Sequence, residues 1–175
     1  MWSASDLGFS MVPAPVTSLS GVRAMAGNDY VVETLKTDGT VWGFGVDENH
    51  QLGGPGGPGP VHANGFSDGI GIAVDHDATF AVKSDGTVWV WGWGYTQTPT
   101  QMPSISDATA TISTSEQDTY VLASDGSVWA WGSNQFGQLG QGTTGAYTHT
   151  PAKIPGLTGV VAPGRRPGLR VRPQG

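Results

Sequence analysis

A nine-residue string occurs three times in this chain with small changes. It reads TDGTVWGFG at residues 37–45, SDGTVWVWG at residues 84–92 and SDGSVWAWG at residues 124–132. Three copies in 175 residues are not a chance event, and their Asp-Gly pairs lie 47 and 40 residues apart. Spacings of this size are typical of the blades of β-propellers. The chain is therefore a repeat protein, and each copy marks one structural unit.

Each copy predicts a β-hairpin. The Asp-Gly pair is flanked on both sides by β-branched and aromatic residues, which is the strongest short-range hairpin signal. We expect a type I′ turn, which requires φ > 0 at both central residues. A further strand precedes each hairpin, around residues 22–26, 70–74 and 108–113. Because no stretch shows a sustained 3.6-residue periodicity, the chain is predicted to be all-β.

The repeated residues themselves are interpreted as structural. The Asp-Gly pairs form the turns, although paired carboxylates can also perform acid–base chemistry. The repeated tryptophans fill the space between packed sheets. The structural repeat positions are Asp38, Gly39, Trp42, Asp85, Gly86, Trp89, Trp91, Asp125, Gly126, Trp129 and Trp131. The first unit is interpreted as one residue longer before its turn than the others, which predicts a β-bulge at or near Glu33.

Glycine-rich connectors separate the hairpins. Gln-Leu-Gly occurs after the first and third hairpins, at residues 51–53 and 138–140, and is absent after the second. We expect these segments to pack between units.

Composition excludes several classes of function. The formal net charge is -6 and the pI is about 4.9, which disfavours nucleic acid because phosphate binding needs Lys and Arg. There is no cysteine, and the four histidines lack zinc-ligand spacing. No phosphate loop, nucleophile elbow or dinucleotide motif occurs. We therefore expect no metal, no cofactor, no membrane span and no enzyme activity. The cell compartment stays open among bacterial secreted, cell-surface and cytoplasmic locations.

The unit resembles the repeat of the regulator of chromosome condensation family. The resemblance rests on the turn and the Trp-Gly of residues 82–92 and 122–140, and on the Gln-Leu-Gly at residues 138–140, and it covers about residues 21–161. The shorter second unit is also similar to repeats of the β-lactamase inhibitor protein II type. The resemblance implies a propeller of four-stranded blades, usually seven. It also implies a rigid body that presents loops to a protein, and the founding members are guanine nucleotide exchange factors for a small nuclear GTPase.

The predicted organisation is three complete blades and two partial ones, in an incomplete ring. Residues 1–20 are interpreted as the tail of a preceding blade, and the blades as residues 21–66, 67–106 and 107–157, with the start of a fourth to residue 162. Residues 163–175 form an irregular basic tail, which we interpret as a shifted reading frame or an artificial end. We expect the chain to be a piece of a longer propeller.

Candidate binding residues are those that differ between the copies. The loops that enter the three hairpins are predicted to share one rim and to form an acidic, hydrogen-bonding surface. Trp93 and Tyr95 add aromatic side chains of the kind that anchor interfaces. The candidates are Trp93, Tyr95, Asn28, Asp29, Asp75, His76, Asp77, Glu116 and Gln117.

The sequence favours a non-catalytic protein–protein interaction module. The alternative is a regulator of another enzyme, acting like an exchange factor or like a hydrolase inhibitor.

Overall fold

The structure is a computed structural model that describes residues 16, 19–57, 59–115 and 117–162. Every regular element in this part of the chain is a β-strand. The strands are β1 (Val22–Gly27), β2 (Val31–Lys36), β3 (Val41–Gly45), β4 (Val61–His62), β5 (Gly69–Val74), β6 (Ala78–Lys83), β7 (Val88–Gly92), β8 (Thr100–Met102), β9 (Ala108–Thr114), β10 (Asp118–Ala123), β11 (Val128–Asn134) and β12 (Gly145–Lys153). No helix long and apolar enough to cross a membrane occurs among the described residues.

The strands form three four-stranded antiparallel sheets, each in chain order. We call them blade 1 (β1–β4), blade 2 (β5–β8) and blade 3 (β9–β12). The first strands of neighbouring blades contact each other, β1 with β5 and β5 with β9. Sheets that meet along their first strands and pack face to face are the arrangement of a β-propeller. The predicted all-β propeller class is confirmed.

The turn type expected from Asp-Gly was wrong. Gly39, Gly86 and Gly126 have φ near +80°, but the preceding aspartates do not have positive φ. The Gly39 N–H donates to the Lys36 carbonyl at 3.0 Å, and the Lys36 N–H donates to the Thr40 carbonyl at 2.9 Å. This is a three-residue loop that ends in a left-handed glycine, the next most common hairpin connection. It needs positive φ at one residue only.

The predicted bulge at Glu33 was also wrong. β2 pairs with β3 in unbroken register, and the irregularity lies between Val22 and Ala24 of β1. Blade 2 has the equivalent shift between Gly69 and Gly71. The extra residue belongs to blade 3. Asp107 and Ser115, whose backbones bond to Ser124 and Asp118, are eight positions apart, whereas the equivalent residues of the other blades are seven positions apart. β9 is accordingly one residue longer than β1 and β5.

Two packed interfaces hold the blades together, and we call them seam 1–2 and seam 2–3. Seam 2–3 contains one continuous apolar cluster, with Phe80 and Val90 of blade 2 against Val121 and Trp131 of blade 3. Seam 1–2 contains two separate clusters. One holds Leu35, Val41, Phe66, Ala81 and Trp91, and the other holds Val31, Leu52, Val61 and Val74.

Gln51 joins blade 1 to blade 2 through hydrogen bonds. Its carbonyl accepts from Trp91 Nε1 at 2.6 Å and from Thr79 Oγ1 at 3.0 Å, and its own Nε2 donates to the His76 carbonyl at 3.0 Å. Gly53 follows with φ +65°, and a Cβ there would lie 2.9 Å from the Trp91 ring. The Gln-Leu-Gly segment of blade 1 therefore packs between blades.

The two terminal segments lie largely outside the described residues. The predicted blade tail at residues 1–20 is described only at Val16, Leu19 and Ser20, and the basic tail at residues 163–175 is not described. The proposed limits of the individual blades remain predictions.

Candidate protein-binding face

The loops that enter the three hairpins lie side by side at one end of the blades. Asn28 Nδ2 donates to the Asp75 carbonyl at 2.6 Å, and Thr114 Oγ1 donates to the Val74 carbonyl at 2.8 Å. Between them is a cleft of about 330 Å³, lined by Gly27, Asn28, Asp29, Val74, Asp75, His76, Thr114 and Ser115. The structure thus brings the three predicted loops together, apart from Glu116, which lies outside the described residues.

Asn28 and Asp75 shape the backbone of the first two loops. Asn28 Oδ1 accepts from the N–H groups of Tyr30 and Val31 at 2.8 and 2.9 Å. Asp75 Oδ1 does the same for Asp77 and Ala78 at 2.8 and 2.6 Å. These are Asx turns, which hold the loop and leave less of the side chain for a partner. Asp75 is 4% exposed.

Of the candidate residues in these loops, Asp29, His76 and Gln117 are exposed. His76 Nδ1 lies 2.9 Å from Asp77 Oδ1, and this contact raises the pKa of His76 above its ordinary value. Burial raises the pKa of Asp75 to about 6. The loop therefore changes charge close to neutral pH.

One equivalent position near the end of the third strand lies beside the loop in each blade. Val46 and Trp93 follow the third strands of blades 1 and 2, and Ser133 lies within β11. Their N–H groups donate to the carbonyls of Tyr30, Asp77 and Gln117 at 2.9, 2.9 and 3.0 Å. This geometry places Trp93, which is 64% exposed, beside the loops. We call this end the loop face: residues 28–30, 46–49, 75–77, 93, 115, 117, 118 and 133–136.

Tyr95 is placed differently from Trp93. Its ring packs edge-on against Phe80 and His149, with centroids 5.7 and 4.8 Å apart. It adds to the cluster of seam 2–3, and burial raises the pKa of its hydroxyl. Its contacts are thus internal, and a direct role for Tyr95 in binding stays a prediction.

Phe136 was missed by the sequence reasoning. It is 88% exposed and lies on the connector of blade 3, at the position that Asn49 occupies in blade 1. It borders a cleft of about 360 Å³ with Ser115, Gln117, Asp118, Ser133, Gln135 and Gln138. The criterion that selected Trp93, an aromatic residue where another copy is polar, would have found it.

The opposite end of the blades, which we call the turn face, carries charges of both signs. It comprises residues 37–40, 67–68, 84–87, 106–107 and 124–127. Lys36 pairs with Asp38 at 3.5 Å, and Lys153 with Asp125 at 3.0 Å. Lys83 lies 4.0 Å from the Trp89 ring centroid, and Arg23, in register close to Lys36, donates to the Ile70 carbonyl. All four Lys and Arg residues of the described chain therefore lie toward the turn face.

One carboxylate oxygen of each turn aspartate accepts two hydrogen bonds within its turn. Asp38 Oδ1 accepts from the Thr40 N–H and hydroxyl at 3.0 and 2.6 Å, and Asp85 and Asp125 repeat this with the residue two positions on. These bonds lower the pKa of all three carboxyl groups. The ionised carboxylates stabilise turns and do not match the raised pKa of a general acid.

Nothing among the described residues forms a metal centre, since no group of three or more His, Asp or Glu side chains is suitably placed. What the loop face offers is acidic and aromatic. It carries Asp29, Asp47, Glu48, Asp75, Asp77 and Asp118. Clefts, exposed aromatic rings and one sign of charge are features of recognition surfaces.

The architecture defines the class of protein as a β-propeller built from four-stranded repeat blades. Residues 125–163 match the family model of the regulator of chromosome condensation (RCC1) repeat. The other two units share its turn and its blade topology. The RCC1 repeat model thus matches the third blade, and the other two blades repeat the fold of that unit.

Solved structures support the same fold. Human WBSCR16 is similar with a TM-score of 0.66 and 20% identity over 76% of this chain. Prp20p from Saccharomyces cerevisiae, in a structure titled for its binding properties to Gsp1p and histones, has a TM-score of 0.67 and 15% identity over 78% of this chain. A structure of Kap60 bound to yeast RCC1 (Prp20) has a TM-score of 0.66 and 17% identity over 83% of this chain. In each case the match spans 39% of the other chain. No curated protein matches the sequence.

Proposed function

We propose that this chain is a non-catalytic protein-interaction module whose loop face binds a basic protein surface. The observation that carries the proposal is the difference in charge between the two ends. The loop face carries six acidic residues and no Lys or Arg, whereas the five aspartates of the turn face are offset by the four described Lys and Arg side chains. A single sign of charge steers a partner of opposite charge and suppresses others.

Aromatic residues supply the apolar part of this surface. Trp93 and Phe136 are 64% and 88% exposed, and Tyr30 is 49% exposed. Large aromatic side chains are the commonest interface hot spots, because they bury much area with few rotatable bonds. On the loop face they alternate with carboxylates, so that an arginine- or lysine-rich partner meets both apolar contact and opposite charge.

The similar structures agree with this type of role. One is titled for the binding of Prp20p to Gsp1p and histones, and another shows Kap60 bound to yeast RCC1. They motivate a protein partner, and histones are an available basic probe.

The test is direct binding of the whole chain to purified core histones, with Gsp1p as a second probe. Trp93→Ala combined with Phe136→Ala is expected to weaken histone binding by about 2 kcal/mol or more, roughly thirtyfold. Affinity should fall as salt rises, because the charges are exposed.

Matched controls separate the two faces. Asp29→Asn on the loop face should weaken binding several-fold, whereas Asp68→Asn, an exposed carboxylate on the turn face, should leave it unchanged. Equal affinity of the aromatic double variant and the parent would overturn the proposal. Binding to Gsp1p alone, or faster nucleotide release from it, would favour the exchange-factor alternative.

A further inference from the structure

Glu33 is a buried acid without a partner. It is 0% exposed, and neither carboxyl oxygen has a hydrogen-bond partner among the described residues. Its neighbours on the same face of β2 are Val31 and Leu35, which belong to the two separate apolar clusters of seam 1–2. A strand alternates its faces, so Glu33 lies on the seam side between them. The carboxyl group of Glu33 thus separates the two apolar clusters of seam 1–2.

The same position is aromatic in the other blades. Five residues before the turn aspartate, blade 2 has Phe80 and blade 3 has Tyr120. The residue paired opposite is Gly43 in blade 1, Val90 in blade 2 and Ala130 in blade 3. A Cβ on Gly43 would lie 2.5 Å from the Glu33 carboxyl group. The two differences match, because the missing side chain at Gly43 provides the room that the carboxyl group occupies.

The charges near Glu33 do not neutralise it. Burial, and then the negative charge of Asp47 on the connector after β3, raise its pKa well above the ordinary 4.5. Across the seam, β6 and β7 present Thr79, Ala81 and Trp91, none of which is charged. The loop before β6 carries Asp75, His76 and Asp77. No lysine or arginine among the described residues pairs with Glu33.

We propose that seam 1–2 is a pH-sensitive joint, in which Glu33 is buried as the neutral acid and its ionisation separates blade 1 from blade 2. An isolated carboxylate in an apolar interior is strongly disfavoured, and the group either keeps its proton or reaches water. Gln51 crosses the same seam with its hydrogen bonds to blade 2. Opening therefore exposes Glu33 and breaks the link between blades in one step.

The direction of the pH effect follows from proton linkage. The closed seam holds the Glu33 proton, and the open seam releases it. Closure is therefore most stable below pH 4.5 and weakens as the pH rises toward the raised pKa of Glu33. Between these limits the opening constant rises about tenfold per pH unit. Burial also raises the pKa of Asp75, and its ionisation contributes in the same direction over part of this range.

The experiment compares the whole chain with Glu33→Gln, which keeps the shape and removes the titration. Hydrogen exchange, corrected for its intrinsic pH dependence, is followed from about pH 5.5 to about pH 8. In the parent, exchange in β2 and β3 should accelerate by up to about tenfold per pH unit, and more steeply than in β10 and β11. In Glu33→Gln that difference should disappear. Asp75 and His76 remain in both proteins, so the change in slope isolates Glu33.

Glu48→Gln is the matched control, the same chemical change on an exposed side chain, and should behave like the parent. The proposal fails if Glu33→Gln keeps the slope of the parent. It also fails if β10 and β11 lose protection in parallel with β2 and β3, because the opening is then not confined to seam 1–2.

Discussion

The two seams solve the same packing problem with different chemistry. Seam 2–3 is filled by aromatic and aliphatic side chains, with Phe80 packed edge-on against Trp131 at 5.6 Å between centroids. Seam 1–2 depends on Gln51, whose carbonyl accepts from Trp91, and it contains the unpartnered Glu33. Blade 2 has no Gln-Leu-Gly segment to place in seam 2–3, and Tyr95 packs there instead. A blade can thus lack the Gln-Leu-Gly connector when an apolar side chain fills the same space between the blades.

The difference also indicates where the molecule is weakest. An apolar cluster loses stability gradually as contacts are removed, whereas a buried polar link fails when one partner is left unsatisfied. Seam 1–2 should therefore respond to single polar changes and to pH, and seam 2–3 should respond mainly to lost volume.

The strongest contrast is expected at the equivalent positions Phe80 and Glu33. Phe80→Ala should lower the free energy of unfolding by about 3–5 kcal/mol, because it opens a cavity in a continuous cluster. Glu33→Leu should raise it by about 1–3 kcal/mol near neutral pH, because an apolar side chain removes the cost of burying an unpartnered acid. Urea denaturation of both variants measures this. Destabilisation by Glu33→Leu would show that the carboxyl group has a stabilising contact.

A smaller effect is expected opposite Glu33. Gly43→Ala should cost about 1–3 kcal/mol, because its Cβ would meet the carboxyl group at 2.5 Å in a closed space. Combined with Glu33→Ala, the same substitution should cost less than about 0.5 kcal/mol, since the competing group is gone. The double-mutant cycle is measured by denaturation. Additive effects would mean that the two positions do not compete for space.

The smallest expected effect is a difference in unfolding free energy between substitutions at the two buried tryptophans, Trp91 and Trp131. Trp91→Phe removes the 2.6 Å bond to the Gln51 carbonyl, which keeps only its bond from Thr79. We expect Trp91→Phe to cost about 1 kcal/mol more than Trp131→Phe. Both variants lose similar ring volume, so that each serves as the control for the other. Equal unfolding free energies would remove the hydrogen bond as a feature of seam 1–2.

Much of the fold could be predicted from the repeat. The three copies of the Asp-Gly hairpin predicted strands, class and blade order, because local turn and strand preferences are written in adjacent residues. The turn subtype was not readable, since Asp-Gly fits both a two-residue loop and a three-residue loop with one left-handed glycine. The register of β9 also depends on pairing with β10, which a single strand sequence does not show.

The candidate face was predicted in part. Variation between copies selected Trp93, and the structure places it exposed beside the three loops. The same reasoning treated Tyr95 as equivalent to Trp93. Tyr95 lies two residues further along the connector, and there its side chain packs into seam 2–3. Exposure and burial of neighbouring loop aromatics depend on the approach of the next blade, which no local pattern contains.

The sequence by itself determined the repeat, the hairpins and the all-β propeller class, because these arise from short-range turn chemistry and alternating side chains. Only the tertiary structure decided that the described Lys and Arg side chains lie toward one face, that Phe136 is exposed, and that Glu33 is buried against Gly43. Those properties come from residues that are distant in the chain and meet only when one blade packs on the next.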